Sequence, residues 1–156
     1  MTLFPLLFAF ACVDKAPASD DSAPVDTTDP GRFSGDYPGG LHFSVDITNM
    51  NDHDECDGSV LFVIDMAAET QQLSGEMSCS FSGTLAPFSP MLGSFSGNVS
   101  DSGEVHASYE TGGGPVQGDI TSTIDEAGNL HATLTGSGSS DDLDVTWTGD
   151  LNATRE

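Results

Sequence analysis

The sequence is nearly devoid of positive charge. Only three of its 156 residues are Lys or Arg, against 25 Asp and Glu, which gives a formal net charge of −22. Between Phe33 and Thr154 there is no Lys or Arg at all. Nucleic-acid binding needs cations that displace phosphate counterions, so we predict no nucleic-acid partner. The same shortage excludes charge-driven adsorption to anionic lipid, a lysine nucleophile and an arginine phosphate clamp in this stretch.

The motifs that carry common enzyme chemistry are missing as well. The sequence has no GxSxG segment and no glycine-rich loop leading into a helix. Nucleophilic catalysis needs a base beside a Ser or Cys, and the many serines lie in turn-like and surface-like patterns. No two of the four histidines have metal-ligand spacing; they are His42, His53, His106 and His131. We therefore predict that the protein is not an enzyme.

Helical periodicity is absent from about residue 37 onward, and apolar and polar residues alternate instead. In residues 41–47 (LHFSVDI) every second side chain is apolar, which is typical of a half-buried strand. In the next run the inward set is Val60, Phe62, Ile64 and Met66, and the third run extends from residue 72 to Leu85. We predict an all-β domain of about eight antiparallel strands. The favoured architecture is a water-soluble up-and-down barrel, because the outer face is polar, and a two-sheet sandwich is the alternative.

Glycines on the predicted inner face favour the barrel over the sandwich, because glycine lets strands coil sharply on the concave side of a sheet. They are Gly75, Gly83, Gly93, Gly97, Gly118, Gly136 and Gly149. Two turn signals also predict register. A three-residue loop centred on Ser102 would pair Val99 with Val105. A five-residue loop centred on Ala127 would pair Ile124 with Leu130.

The only long apolar run stands at the start of the chain. Residues 3–11 are too few to span a bilayer, and they end in Ala11 followed by Cys12. This end resembles the export signal of bacterial lipoproteins, in which Ala or Gly precedes the cysteine that becomes the lipidated N-terminus. Position −3 is Ala9, where that family usually has Leu. The resemblance covers residues 1–12 and implies lipid attachment at Cys12; a plain secretory signal or a buried first strand are the alternatives.

The segment after Cys12 reads as a tether. Residues 13–31 contain five Asp, three Pro and no aromatic residue, so they cannot bury enough apolar surface to fold. We predict an export signal over residues 1–12, a disordered acidic tether over 13–36 and one β domain over 37–154. A lipid-anchored protein of this kind would lie at the cell envelope of a bacterium, on the outer membrane or the cell surface, with the membrane as a partner through its anchor.

Cysteine is scarce: besides Cys12 only Cys56 and Cys79 occur. The two would lie on neighbouring strands if the hairpin between them turns near residues 67–69, and an exported compartment permits a disulfide. Closing a loop of this size would stabilise the fold by about 3 kcal/mol. We predict the Cys56–Cys79 disulfide, with two free buried thiols as the alternative.

One acidic segment, residues 51–58 (NDHDECDG), is the strongest candidate for cation binding. Asp52, Asp54 and Asp57 could place carboxylates on one flexible loop, as calcium prefers. The segment is not an EF-hand, because no Glu follows Gly58 at the required distance. A solvated acidic loop is the alternative, and we predict no other cofactor.

Two functions fit these features. The first is an exported, lipid-anchored β domain with a structural or interaction role, which would bind an unknown protein or envelope partner through loops such as residues 87–90 and 141–144. The alternative is a carrier of a small apolar ligand inside a calycin-like barrel. Interior volume separates the two, because a ligand pocket requires several hundred cubic ångströms of space.

Overall fold

The computed structural model describes residues 31–67, 70–112, 116–140 and 143–156. Cys12 and residues 13–30 of the predicted tether lie outside this part of the chain. The strands are β1 (Gly35–Ile47), β2 (Asp52–Ala67), β3 (Thr70–Phe81), β4 (Met91–Val99), β5 (Glu104–Thr111), β6 (Gln117–Ile124), β7 (Asn129–Ser140) and β8 (Leu143–Thr154). A single 3₁₀ turn, Ala86–Phe88, is the helical element of the described residues, and none of their helices is long and apolar enough to cross a bilayer.

Each strand pairs antiparallel with the next, and β8 returns to pair with β1, so the sheet closes on itself. The predicted up-and-down barrel is confirmed, and the sandwich alternative is wrong. Both predicted turn registers are present, with Val99 opposite Val105 and Ile124 opposite Leu130. Register holds because a slip of one residue would turn every apolar side chain outward.

Three local expectations about the strands are wrong. Residues 51–58 do not form a loop, because from Asp52 onward they pair with β1 as the start of β2. Met66 is 39 % exposed, since it lies at the far end of β2 where the barrel no longer covers it. The third strand ends at Phe81 rather than Leu85, and the exposed Gly83 belongs to the loop that follows.

The inward glycines make room for aromatic rings on the opposite strand. A side-chain carbon at Gly149 would lie 2.5 Å from the ring of Phe43, and one at Gly136 would lie 2.4 Å from the indole of Trp147. Each glycine is directly opposite its aromatic residue in the strand register. The same pairing recurs for Phe62 with Gly75 and Tyr109 with Gly118. Small and large side chains thus alternate across the barrel, which fills a narrow interior.

One end of the barrel, here called the closed end, is sealed by Phe33, a residue of the predicted tether. Phe33 is buried; its backbone N–H donates to Gln71 Oε1 (3.1 Å) and its carbonyl accepts from the Tyr37 hydroxyl (2.8 Å). Its ring lies against Gly103, whose φ of +87° suits glycine. The folded domain therefore begins before residue 37.

Candidate functional site

The opposite end, here called the open end, holds an apolar cavity of about 370 Å³. It lies among inward side chains of the strands and residues of the surrounding loops. The walls are Phe43, Val45, Phe81, Leu85, Phe88, Pro90, Met91, Thr111, Gly112, Val116, Ser139, Leu143, Val145 and Trp147. Its volume lies within the range of small-molecule sites in proteins, and its predominantly apolar lining is typical of such sites.

A hydrogen bond across the interior marks the inner limit of this cavity. The Trp147 indole N–H on β8 donates to the Tyr109 hydroxyl on β5 (2.8 Å). Beyond it the interior is packed: Tyr109 contacts Phe95 with ring centroids 6.1 Å apart, and Phe95 meets Phe62 edge-on at 4.9 Å. Burial raises the pKa of the Tyr109 hydroxyl above its ordinary value, so the hydroxyl in this hydrogen bond stays neutral across the physiological range. Trp147 separates the filled half of the barrel from the hollow half.

One wall of the cavity is the mouth loop, residues 82–90, which a buried carboxylate holds in place. Asp54 Oδ1 accepts the backbone N–H of Gly83 (2.9 Å), and Oδ2 accepts that of Leu85 (2.7 Å). Thr84 donates its hydroxyl to Asp52, which lowers the pKa of that exposed carboxyl. Because Leu85 points into the barrel from this loop, the two aspartates of β2 position a wall of the cavity.

The buried polar groups of the wall already have partners within the protein. Thr111 donates its hydroxyl to the Val116 carbonyl (3.0 Å), and the Gly112 N–H donates to the Leu92 carbonyl (2.9 Å). The Trp147 N–H is taken by Tyr109. The cavity therefore offers a ligand mainly apolar contacts, and its buried donors are already bonded within the protein; the Ser139 hydroxyl lies at its exposed edge.

The carboxylates proposed as a calcium site do not converge. Strand geometry turns Asp57 to the outer face, where it contacts His42 Nδ1 (2.7 Å), whereas Asp54 faces inward and binds backbone N–H groups. Within the described residues no group of three or more acidic, His or Cys side chains is placed to hold a metal ion. Residues 51–58 resemble a metal-binding loop in sequence because β2 begins with a run of polar residues.

The predicted disulfide is present. Cys56 and Cys79 are joined across β2 and β3, with their Cα atoms 5.5 Å apart. Cys79 lies opposite Gly58 in the register, and a side-chain carbon at Gly58 would come within 2.5 Å of the Cys79 Cβ. Glycine at this position therefore leaves room for the bridge, which lies in the open half of the barrel.

The histidines lie on the outer surface rather than in the cavity. His53 Nδ1 contacts Asp46 (2.8 Å) and its Nε2 lies 3.9 Å from Glu55, and the hydrogen bond to Asp46 raises the pKa of His53. His131 Nδ1 contacts the Asn152 side chain (2.7 Å). The contacts with Asp46 and Asn152 are cross-strand pairs of the kind that stabilise sheets, whereas Glu55 lies on the same strand as His53.

Comparisons of the chain with protein-family models, with curated proteins and with solved structures found no significant match. The fold and the cavity define the class, an eight-stranded meander barrel with an apolar cavity at one end. Two loops were predicted as a functional surface. Residues 87–90 contribute Phe88 and Pro90 to the cavity, and residues 141–144 contribute Leu143. Residues 141–142 lie outside the described part of the chain. Thr111, Val116 and Met91 carry no signal in the sequence, since apolar strand ends look alike whether they face a cavity or a packed core.

Proposed function

We propose that this protein is a binding protein for a small apolar molecule, which it takes up in the cavity at the open end. The apolar cavity of about 370 Å³ carries the proposal. An eight-stranded barrel is just wide enough to hold one small ligand, and the packed aromatic half leaves room for one only at this end.

The rim of the cavity supports the same proposal. Phe88 is 61 % exposed, although it belongs to the loop that Asp54 holds in a fixed position, and it lines the cavity. Met50, in the turn between β1 and β2, is a further exposed apolar residue at this end. Apolar side chains around an opening give an apolar ligand a path from solvent into the interior.

We also propose that the protein is exported and anchored through lipid on Cys12, at the bacterial cell envelope. The Ala11–Cys12 pair after a short apolar run supports this, and the Cys56–Cys79 disulfide suits an oxidising compartment. The described chain enters the barrel at the closed end, beside Phe33, so a tether attached there would leave the open end unobstructed. A Cys12→Ser variant should move from the membrane fraction to the soluble fraction, and an unmodified intact mass of the membrane-bound wild type would contradict the anchor.

Trp147 makes the binding proposal directly testable, because it is the chain's only tryptophan and it lines the cavity. Phenylnaphthylamine, a neutral apolar dye, absorbs where tryptophan emits. Excitation of Trp147 in the full chain should produce saturable dye emission at one dye per protein. Val116→Phe, which places a ring in the cavity, should abolish this transfer of energy.

The matched control is Val63→Phe, the same substitution on the outer face of β2. It should leave dye binding as in the wild type. Absence of saturable transfer in the wild type would overturn the proposal and favour the interaction role, in which the exposed rim contacts a partner. Equal binding by the Val116→Phe variant would place the dye elsewhere and would also overturn it.

A further inference from the structure

We propose that the cavity selects its ligand by charge: it takes apolar molecules whose polar end is neutral or cationic, and it rejects anionic amphiphiles such as fatty-acid carboxylates. This inference rests on the proposed function and adds the chemical class of the ligand to it. The supporting observation is that the described residues at this end include no Lys or Arg, and that the buried hydrogen-bond donors of the cavity wall are already bonded to acceptors of the protein.

The donors in the wall are the first part of the argument. A carboxylate that leaves water needs a cation or several N–H and O–H donors to replace its hydration. Here the Thr111 hydroxyl, the Gly112 N–H and the Trp147 N–H are all donated to acceptors of the protein. The Thr111 oxygen keeps lone pairs, so it can accept a hydrogen bond from an alcohol or an ammonium but can give none to a carboxylate.

The distribution of charge is the second part. Both arginines of the described chain lie at the closed end, where Arg155 Nη1 donates to the Arg32 carbonyl (2.5 Å) and Arg32 lies 3.7 Å from Glu126. The cation nearest the open end is His53 when it is protonated, and it is held on the outer face by Asp46. The nearest buried charge is the Asp54 carboxylate, which binds the backbone of Leu85 in the cavity wall. An anion entering this end would meet negative charge and no counterion.

A cation meets the opposite conditions. The net charge of −22 attracts it over a distance of about one Debye length, ~8 Å at physiological salt. Phe43, Phe88 and Trp147 present aromatic rings to the cavity, and ring faces attract ammonium groups. A neutral alcohol loses less than a carboxylate, because it carries no charge and its hydroxyl can donate to the Thr111 oxygen.

Three probes of equal chain length test the inference: n-decanol, decyltrimethylammonium and decanoate, each below its micelle concentration at pH 8. Displacement of phenylnaphthylamine from the full-length protein gives the three affinities. We expect decanol and decyltrimethylammonium to displace the dye, and decanoate to bind roughly tenfold more weakly or worse. Higher salt should reduce the difference in affinity between decyltrimethylammonium and decanoate, because it screens the attraction of the cation at the rim. Decanoate should remain the weakest of the three ligands.

A charge-reversal pair locates the selectivity in the cavity. Leu143→Lys adds a cation to the cavity wall, and Leu92→Lys adds the same cation on the exposed outer face nearby. Decanoate should bind the first variant better than the wild type and should bind the second no better. Near-UV circular dichroism checks that each variant folds, and the ranking on the wild-type protein stands whether or not the Leu143 variant does.

The outcomes separate the two proposals. Decanoate binding as tightly as decanol would overturn the charge selectivity and leave the binding site intact. Equal improvement by Leu92→Lys and Leu143→Lys would overturn the location of the selectivity in the cavity, because long-range charge alone would explain it. Failure of the dye and all three probes to bind would overturn the binding site, and the selectivity with it.

Discussion

The closed and open ends of the barrel are both made of short loops between the same eight strands, yet they are connected differently. At the closed end the backbone bonds link neighbouring loops and the termini: the Ile124 N–H donates to the Gly103 carbonyl, and the Arg155 N–H donates to that of Gly128. At the open end the Thr48 N–H, in the turn after β1, donates to the Asp144 carbonyl in β8, and the Gly112 N–H, just after β5, donates to the Leu92 carbonyl in β4.

The interior follows the same division. A residue from outside the strands, Phe33, enters and seals the closed end, and the aromatic stack of Phe62 and Phe95 fills the space behind it. At the open end the corresponding residue, Phe88, stays at the rim and remains exposed. The end that a ring enters therefore has a packed core, and the end whose ring stays outside has a cavity. We therefore expect stability to reside mainly in the closed half, and the proposed binding site lies in the open half.

The largest expected effect is in the closed half. Phe62→Ala removes a fully buried ring and should lower the free energy of unfolding by about 3–5 kcal/mol. Phe88→Ala, the same truncation at the open rim, should cost about 0.5 kcal/mol or less and weaken dye binding instead. Urea titrations of both variants measure this difference. A similar loss of free energy of unfolding in both variants would mean that stability is not concentrated in the closed half.

The disulfide is the main exception to the comparison, because it strengthens the open half. Replacing both cysteines, Cys56→Ala with Cys79→Ala, should lower the free energy of unfolding by about 3 kcal/mol, as expected for the closure of a loop of this length. A reductant should have the same effect on the wild type and none on the double variant, which retains Cys12. Destabilisation of the double variant by the reductant would show that another thiol is responsible.

The sequence predicted the barrel well, because alternation along each strand is imposed by one buried face and is visible in every strand. The turn at residues 100–103 and the disulfide were predictable for the same reason: register aligns Val99 with Val105, and it brings Cys56 beside the strand of Cys79. These features depend on local pattern and on a short separation in the chain.

The remaining features depend on contacts between distant segments. Residues 51–58 are polar, so nothing in their composition indicates a strand; pairing with β1 imposes one. Phe33 stands alone after a polar segment, and its hydrogen bond to Gln71 and the packing of its ring against Gly103 make it part of the core. The mouth loop forms one wall of the cavity, and no periodicity in the sequence encodes its position.

A smaller effect should test how the open end keeps its shape. Asp54→Asn retains one acceptor oxygen and replaces the other with an NH₂ group, so a backbone N–H of the mouth loop loses its partner. We expect about 1–3 kcal/mol of destabilisation and faster hydrogen exchange at Gly83 or Leu85. Asp57→Asn, on the outer face of the same strand, should change the free energy of unfolding by about 0.5 kcal/mol or less. Equal protection of the loop amides in both variants would contradict the anchoring role of Asp54.

The smallest expected effect is on the outer surface of the open end, where His53 is exposed. The hydrogen bond to Asp46 and the charges of Asp46 and Glu55 hold the pKa of His53 above its ordinary value of about 6.5. Since the folded state binds the proton more tightly, the resulting stability is fully present below about pH 6.5 and is lost as pH rises through the folded-state pKa.

Asp46→Asn should therefore lower the pKa of His53 in an NMR titration, and it should reduce stability at pH 6 more than at pH 9. The effect on stability is small, because solvent screens an exposed pair. Asp57→Asn is the control, because its carboxylate contacts His42 and should leave the titration of His53 unchanged. A pKa of His53 that does not move in the Asp46→Asn variant would show that the pair seen on the barrel surface does not persist in solution. The charges outside the open end would then act on an entering ligand only through their sum and not through fixed positions.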